Sequence, residues 1–151
     1  MRTQASATVV AMLLAGASTE GAPQGSPHPP HQLFKLGTVQ LESGDSLPEA
    51  ELLFVTYGRL ASDRRNAVLV PSWYGGNHHG YDFMIGAGRA LDPTMHFIIV
   101  AEMYGSGGSS SPSNASPPQD GPRFPAVTIR DNVAQCTGWS LRGLASPIFG
   151  Q

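Results

Sequence analysis

One serine in this chain has the glycine-flanked spacing of a serine nucleophile. Ser140 follows Gly138 by two residues, and a serine on a tight strand-to-helix turn can attack an acyl carbon when a base removes its proton. That turn needs a small residue two positions after the serine, where this chain has Arg142. A serine on such a turn follows a strand, and a helix is expected to begin at Thr128. Ser140 lies only twelve residues after Thr128, so a helix of about three turns and a strand do not fit between the two residues. We therefore expect no catalytic triad within this chain.

Four of the five histidines occur as two close pairs, which raises the question of a metal site. His28 and His31 flank two prolines, and His78 is followed directly by His79. Two histidines in a proline-rich stretch without further ligands are typical of solvated side chains. Adjacent histidines cannot share one face of a helix, so we expect His78 and His79 to be an exposed loop pair. The sequence alone predicts no metal site.

Composition and charge exclude two classes of partner. The chain has 151 residues, a formal net charge of −2 and a pI near 6.2. Nucleic-acid binding requires a basic patch, and the nine Lys and Arg residues are scattered, so no nucleic-acid partner is expected. No run approaches the ~20 apolar residues of a membrane span. The single cysteine, Cys136, cannot form an internal disulfide and therefore does not indicate a compartment.

The first 32 residues are expected to precede the folded domain. Residues 1–17 combine Arg2 with a short apolar run and the small residues Ala15-Gly16-Ala17, which is the pattern of a secretion signal. The alternative is a leader of small residues. Residues 18–32 are rich in Gly, Pro, Ser and His, as in a linker. The compartment therefore stays open between cytoplasm and secretion.

Apolar patterns predict the strands of an α/β sheet. Residues 34–41 alternate apolar and polar side chains and residues 51–57 are β-branched and aromatic, so these two segments should pair as an antiparallel edge. Residues 67–70 and 96–101 are short continuous apolar runs, typical of buried parallel strands. The Gly/Ser/Pro loop that follows, residues 105–118, is long enough to be functional or disordered, and its first part, residues 105–109, is expected to be a flexible border of an active site.

Two helices are also predicted. Residues 81–90 can form a short helix, although two glycines weaken it. Thr128 can cap a second helix, with Asp131 placing negative charge in its first turn. Ile129 and Val133 are four residues apart and are expected to face inward.

Five segments, in this order, resemble one known family. They are Asn66-Ala67-Val68-Leu69-Val70, Gly86-Ala87-Gly88-Arg89-Ala90-Leu91-Asp92-Pro93, His96-Phe97-Ile98-Ile99-Val100, Ser110-Ser111-Pro112-Ser113-Asn114 and residues 121–133. Over about residues 33–133 the chain resembles the amino-terminal part of homoserine O-acetyltransferase-like proteins of the α/β-hydrolase fold. The resemblance implies a mostly parallel sheet with an antiparallel edge, from which this chain lacks the central nucleophile strand.

The resemblance implies chemistry on acyl esters. In the full-length family a serine nucleophile would transfer an acyl group from acyl-CoA to an alcohol, or to water in hydrolase members. Acyl-CoA would then be a co-substrate, the acyl donor and alcohol acceptor would be small-molecule partners, and no cofactor would stay bound. A homodimer is left open.

The loop after the third strand supplies part of the oxyanion hole in that fold. By resemblance this loop is residues 72–76, and the donor is the backbone N–H of Tyr74, with Trp73 beside it. Acetyltransferases of the family usually carry a His-x-Leu-type sequence where this chain has Ser72-Trp73-Tyr74, so an esterase is the alternative to an acyltransferase. A further alternative is that the two aromatic side chains only pack over the edge of the sheet.

Residues 136–151 are interpreted as an out-of-frame tail on a domain of residues 33–135. Synonymous codons for this segment, read one nucleotide earlier, can encode Met-His-Arg-Leu-Val-Thr-Glu-Gly-Ile, which resembles the helix found at this place in the family. On this interpretation the chain is a truncated acyltransferase or esterase whose triad lies downstream. The remaining alternative is a non-catalytic scaffold protein.

Overall fold

The computed structural model describes residues 28–145 and contains, within that range, one four-stranded sheet and one α-helix. The strands are β1 (Gln32–Gln40), β2 (Ser46–Tyr57), β3 (Ala67–Pro71) and β4 (Phe97–Ala101), and the helix is α1 (Ile129–Ala145). Two short 3₁₀ helices span His78–Tyr81 and Gly121–Arg123. All four predicted strands are confirmed, with β2 beginning five residues earlier than predicted. The predicted signal at residues 1–17 lies outside the described residues.

The sheet is mixed. Its strand order is β1-β2-β4-β3, and β2 pairs antiparallel with both of its neighbours. The predicted antiparallel edge of β1 and β2 is therefore confirmed. The prediction of a mostly parallel sheet is wrong for the described strands, since only the pairing of β3 with β4 is parallel. The described sheet is mixed rather than mostly parallel because β2 pairs antiparallel with both β1 and β4.

One row of the sheet explains why loops distant in the sequence meet. Gln32 pairs with Phe54, Phe54 pairs with Ala101, and Ala101 pairs with Pro71. The first strand thus begins in the row in which β3 and β4 end. The segment before β1 and the loops after β3 and β4 consequently leave the sheet at the same level.

The main core lies between one face of the sheet and α1. Trp139 of the helix is fully buried, and its ring centroid lies 4.5 Å from that of Phe54 in β2 and 5.6 Å from that of Phe34 in β1. Cys136, one turn earlier, is also fully buried. A smaller apolar cluster covers the other face, around Val55, Ile98 and Val100.

The inward face of α1 differs from the predicted one. Ile129 and Val133 were expected to face inward, but they are 58% and 48% exposed, so that prediction is wrong. Asp131, Asn132, Cys136 and Trp139 are buried, and the last three follow the same helical spacing on another side of the helix. Asn132 can be buried because its Oδ1 accepts a hydrogen bond from the N–H of Tyr104, with 2.6 Å between the two atoms.

The start of α1 is capped as the sequence predicted. The Asp131 N–H donates to the Thr128 hydroxyl oxygen at 3.1 Å, and the Thr128 N–H donates to Asp131 Oδ2 at 2.9 Å. This reciprocal pair is a capping box with aspartate in the place of the usual glutamate.

The helix extends to Ala145, ten residues past the predicted domain boundary at residue 135. The out-of-frame origin of residues 136–151 stays a prediction, since a segment of any origin can bury the apolar side chains it happens to carry.

Within residues 28–145, no helix combines the length and apolar character needed to cross a bilayer.

The helix predicted at residues 81–90 is absent from the described chain, which forms turns there after the 3₁₀ helix. Gly86 and Gly88 have φ angles of +150° and +73°, which no α-helix contains. The Arg89 guanidinium bridges these turns by donating from one nitrogen to nearby backbone carbonyls. Its acceptors are the carbonyl oxygens of Asp82, Phe83 and Ile85, at 3.1, 3.1 and 3.3 Å.

Candidate oxyanion loop and histidine cluster

The loop after β3 is anchored at its first residue. Ser72 is buried, its N–H donates to the Ala101 carbonyl at 2.8 Å, and its hydroxyl oxygen accepts from the Met103 N–H at 3.0 Å. These bonds tie the end of β3 to the end of β4. The loop therefore starts from a fixed point at the carboxyl ends of the two parallel strands.

Both sequence-predicted site residues lie on one tight turn. The Gly76 N–H donates to the Trp73 carbonyl at 3.0 Å, and Gly75 has a φ angle of +73°. A positive φ at the third position is the mark of a type II turn, in which Tyr74 occupies the second position. Within residues 28–145 the Tyr74 N–H donates to no protein acceptor, and its side chain is 87% exposed. The turn thus presents an unused backbone donor.

The side chain of Trp73 packs within its own loop. Its indole lies over Gly76 and Gly80, where an added Cβ would overlap the ring, and it meets the Tyr81 ring edge-on at a centroid distance of 5.2 Å. Tyr81 is itself fixed, because its hydroxyl donates to the Pro71 carbonyl at 2.9 Å. Trp73 therefore supports the turn, whereas the exposed Tyr74 ring does not.

A buried His–Glu pair lies beside this loop. His78 and Glu102 are both 3% exposed, and 2.6 Å separates His78 Nδ1 from Glu102 Oε1. The same oxygen accepts the His78 backbone N–H at 3.2 Å, and the Ser106 hydroxyl donates to Oε2 at 3.1 Å. The expectation of an exposed histidine pair is therefore wrong for His78, because the carboxylate of Glu102 supplies the partner that its burial requires.

Burial shifts the protonation of His78. Desolvation lowers the pKa of His78 below its usual value, the hydrogen bond to Glu102 opposes that shift, and the nearby His79 and His31 add to it. The neutral imidazole is thereby favoured. With Nδ1 bonded to Glu102, the nitrogen left over is Nε2, which is buried and has no hydrogen-bond partner within the described residues.

The structure brings together four histidines that the sequence analysis treated as two unrelated pairs. One ring nitrogen each from His28, His31, His78 and His79 lies within 4.8 Å of the other three. His79 also has a carboxylate partner, with 3.0 Å between its Nδ1 and Asp82 Oδ2. The row of the sheet described above brings the pairs together, and the one local signal in the sequence was the His-Pro-Pro-His spacing.

The loop after β4 is tied to β2. The Ser109 hydroxyl donates to the Glu102 carbonyl at 2.7 Å and accepts from the Leu53 N–H at 2.9 Å. Ser110 and Glu51 exchange two further bonds, each of 2.9 Å. Residues 105–109 were expected to form a flexible border, but the bonds of Ser109 and Ser110 hold this part of the loop beside β2.

A cavity of 520 Å³ lies between the β1–β2 hairpin and the loop after β4, with Lys35, Pro48, Glu51 and Asn114 among its lining residues. None of its lining residues belongs to residues 72–76, so this cavity is separate from the predicted oxyanion loop.

The backbone at Ser140 is helical and lies inside α1, which differs from the strand-to-helix turn that a nucleophile requires.

Comparison with known proteins identifies relatives of two activities. No family model matches this sequence. The ethyl acetate hydrolase of Pseudomonas veronii is 43% identical over 108 residues, which cover 71% of this chain and 31% of that protein. The homoserine O-succinyltransferase of Aromatoleum aromaticum is 39% identical over 113 residues, covering 64% of this chain and 30% of that protein. The solved structure of the acetyl esterase MekB matches with a TM-score of 0.71 and 39% identity, covering 79% of this chain and 35% of that one.

The match to the acetyl esterase structure shows that the described sheet belongs to an α/β-hydrolase fold. Within that fold, the chain resembles the homoserine O-acyltransferases and their esterase relatives, which confirms the resemblance inferred from the sequence. The chain spans about a third of the length of the curated relatives it matches.

Proposed function

We propose that this chain carries the oxyanion loop of an acyl-ester hydrolase, with the backbone N–H of Tyr74 as one donor. The observation that carries the proposal is the unused Tyr74 N–H, on a turn that begins at the carboxyl ends of the parallel strands β3 and β4. Backbone donors held in place before the reaction stabilise the negative oxygen of a tetrahedral intermediate without reorganising. The Ser72 bonds and the Trp73 packing supply that rigidity.

Hydrolysis is favoured over acyl transfer by the loop sequence. Ser72-Trp73-Tyr74 departs from the acetyltransferase pattern, and the identity to the ethyl acetate hydrolase, 43%, is higher than the 39% to the homoserine O-succinyltransferase. Transfer of an acyl group from acyl-CoA to an alcohol is the second candidate, supported by the similarity to the homoserine O-succinyltransferase. A homodimer stays a prediction.

A substitution that removes only the N–H tests the donor. Proline is favoured at the second position of a type II turn, so Tyr74→Pro should preserve the turn while deleting the hydrogen-bond donor. The matched control is Tyr74→Ala, which removes the same side chain and keeps the N–H. Both changes are made in a chimera in which residues 33–133 replace the matching segment of the Pseudomonas veronii ethyl acetate hydrolase.

The chimera is assayed with ethyl acetate. We expect Tyr74→Pro to lower kcat by about 10²–10³, the loss typical of one oxyanion donor, and Tyr74→Ala to change it by only a few fold. Equal effects of the two variants would overturn the proposed role. Adding homoserine with acetyl-CoA or succinyl-CoA separates the candidates, since O-acylhomoserine as the main product would favour acyl transfer.

The chain by itself is expected to lack esterase activity. Its sequence contains no Gly-x-Ser-x-Gly segment, and Ser140 is helical. A serine-directed fluorophosphonate should therefore leave the chain unlabelled, as it would for a non-catalytic scaffold. Labelling that maps to Ser140 would show that the chain has a nucleophile of its own.

A further inference from the structure

We propose that His28, His31, His78 and His79 bind one Zn²⁺ ion. Neutral imidazole is a ligand suited to zinc and to the neighbouring late transition metals, and four protein ligands without an open position are the pattern of a structural zinc site. One ring nitrogen from each histidine already lies within 4.8 Å of the others. This inference does not depend on the proposed function.

The distances are close to those of a zinc site. With Zn–N bonds of about 2.0–2.1 Å, the nitrogens of a tetrahedral site are about 3.3 Å apart. The histidine nitrogens would have to approach one another by about 1.5 Å at most, which side-chain rotations can supply. The His78 and His79 ring centroids are 4.1 Å apart, and the His31 centroid is 4.6 Å from that of His78.

The buried Nε2 atom of His78 is the strongest single indication. A buried polar atom without a hydrogen-bond partner destabilises a folded protein, so most buried polar atoms in native structures have a partner. His78 Nε2 has none within the described residues, and a metal ion among the four rings would satisfy it.

Two carboxylates hydrogen-bond to ring nitrogens of the cluster, as is common for metal-binding histidines. Metal-ligating histidines commonly bond their other ring nitrogen to a carboxylate, which fixes the ring and its tautomer. Here Glu102 bonds to His78 Nδ1 at 2.6 Å and Asp82 bonds to His79 Nδ1 at 3.0 Å. In both rings this leaves Nε2 for the metal, and the two negative charges match the charge of a divalent cation.

The first pair of ligands has its own local geometry. Consecutive prolines favour the polyproline II conformation, which has three residues per turn. His28 and His31, three residues apart around Pro29 and Pro30, would then lie on the same side of the segment. A bound ion would fasten the segment before β1 to the loop after β3, two residues beyond the Trp73–Gly76 turn.

Zinc binding to the full chain tests the inference. Binding is measured by competition with a chromophoric chelator, and Co²⁺ is used as a second probe because its visible absorption distinguishes four-coordinate from six-coordinate sites. We expect one Zn²⁺ per chain and a Co²⁺ spectrum of the four-coordinate kind. The absence of such binding in the unsubstituted chain would overturn the proposal.

Three variants locate the site. His28→Ala/His31→Ala removes two exposed ligands and should preserve the fold, which circular dichroism checks, while lowering zinc affinity by more than about 100-fold. Glu102→Gln keeps the shape of the carboxylate but not its charge and should cost about 10- to 100-fold, as loss of an outer-shell partner does. His96→Ala is the matched control, because His96 is the one histidine outside the cluster, and should leave the affinity unchanged. Binding that survives the double substitution, or that falls equally in His96→Ala, would refute the assignment.

Discussion

The Asp131 carboxylate accepts a hydrogen bond from the backbone N–H of Glu42, with 2.8 Å between Oδ1 and the nitrogen, across 89 residues of sequence. Its other oxygen accepts from the N–H and the hydroxyl of Thr128, at 2.9 and 2.8 Å. One side chain thus caps α1 and fastens the helix to the turn between β1 and β2. The capping residue was evident in the sequence, but the long-range contact to Glu42 was not.

Replacing this carboxylate should destabilise the fold. Asp131→Asn puts an NH₂ group where three donors converge, and we expect a loss of about 2–3 kcal/mol in the free energy of unfolding at pH 7, because bonds to a charged acceptor are strong. Urea unfolding followed by circular dichroism measures it. Asp63→Asn is the control, since Asp63 is exposed and accepts one bond, at 3.2 Å from the Arg65 N–H, so its effect should stay within about 0.5 kcal/mol. Similar losses in both variants would contradict the assigned role.

The same carboxylate should make stability depend on pH. Burial raises the pKa of Asp131, but hydrogen bonds from Thr128 and Glu42 outweigh burial, so the pKa lies below its usual value. A carboxyl group with a lowered folded-state pKa stabilises the protein above its unfolded pKa of about 3.9 and loses that contribution as the pH falls through its folded pKa. The stability difference between the unsubstituted chain and Asp131→Asn should therefore be constant near neutral pH and shrink below about pH 4. Urea titrations at several pH values give this curve, and a difference that grows on acidification would have the wrong sign.

The buried face of α1 predicts opposite effects for two residues of one helix. Trp139 is fully buried against Phe54, so Trp139→Ala should cost about 3–5 kcal/mol of unfolding free energy. Ile129 is 58% exposed, and Ile129→Ala should change stability by less than about 0.5 kcal/mol. Chemical denaturation of both variants compares them. A small loss of stability in Trp139→Ala together with a large loss in Ile129→Ala would instead support the inward face predicted from the sequence.

The single cysteine should report on unfolding. Cys136 is fully buried, and burial raises the pKa of its thiol to about 11, so little of the reactive thiolate exists or is accessible at neutral pH. We expect an aromatic disulfide reagent to leave the folded chain unmodified and to react fully in denaturant. Any slow reaction of the folded chain should occur through its opened form, at a rate proportional to the population of that form and to the reagent concentration. Immediate and complete reaction without denaturant would show that α1 does not cover Cys136.

The strands were predictable because each follows from a local pattern. Residues 51–57 and 96–101 are rich in β-branched and aromatic side chains, which are enriched in strands because they pack well on a half-buried sheet. The register of Gln32 with Phe54 and of Phe54 with Ala101 depends instead on contacts between segments far apart in the sequence. The sequence therefore indicates the strands without indicating which loops they bring together.

The errors have identifiable physical causes. The apolar spacing at residues 81–90 favoured a helix, but the Gly86 and Gly88 conformations and the Arg89 guanidinium stabilise turns there. At α1, the apolar residues Ile129 and Val133 favoured their side of the helix as the inward face. The polar Asn132 is buried instead, because its amide oxygen accepts a hydrogen bond from the Tyr104 N–H. In both places a side chain bonds to backbone groups, which apolar periodicity does not record.

The candidate oxyanion loop and the histidine cluster differ in how far the sequence indicated them. The proposal for Tyr74 could be made from a resemblance, since a backbone donor depends on its position in the fold rather than on its side chain. The histidine pairs are separated by 46 residues between His31 and His78, so neither pair by itself indicated the other. Only the common level at which β1 begins and β3 and β4 end brings their rings together.

That arrangement of strands also sets how long individual amide protons survive. All five residues of β4 are buried and the strand has neighbours on both sides, whereas none of the five residues of β3 is buried and, within residues 28–145, its pairing is on one side only. Amides of β4 should exchange with deuterium only when the whole sheet opens, while the outer amides of β3 should exchange through local fluctuations. Two adjacent strands of one sheet would then differ by orders of magnitude in protection, and the slowest-exchanging unit of this chain would be centred on β2 and β4.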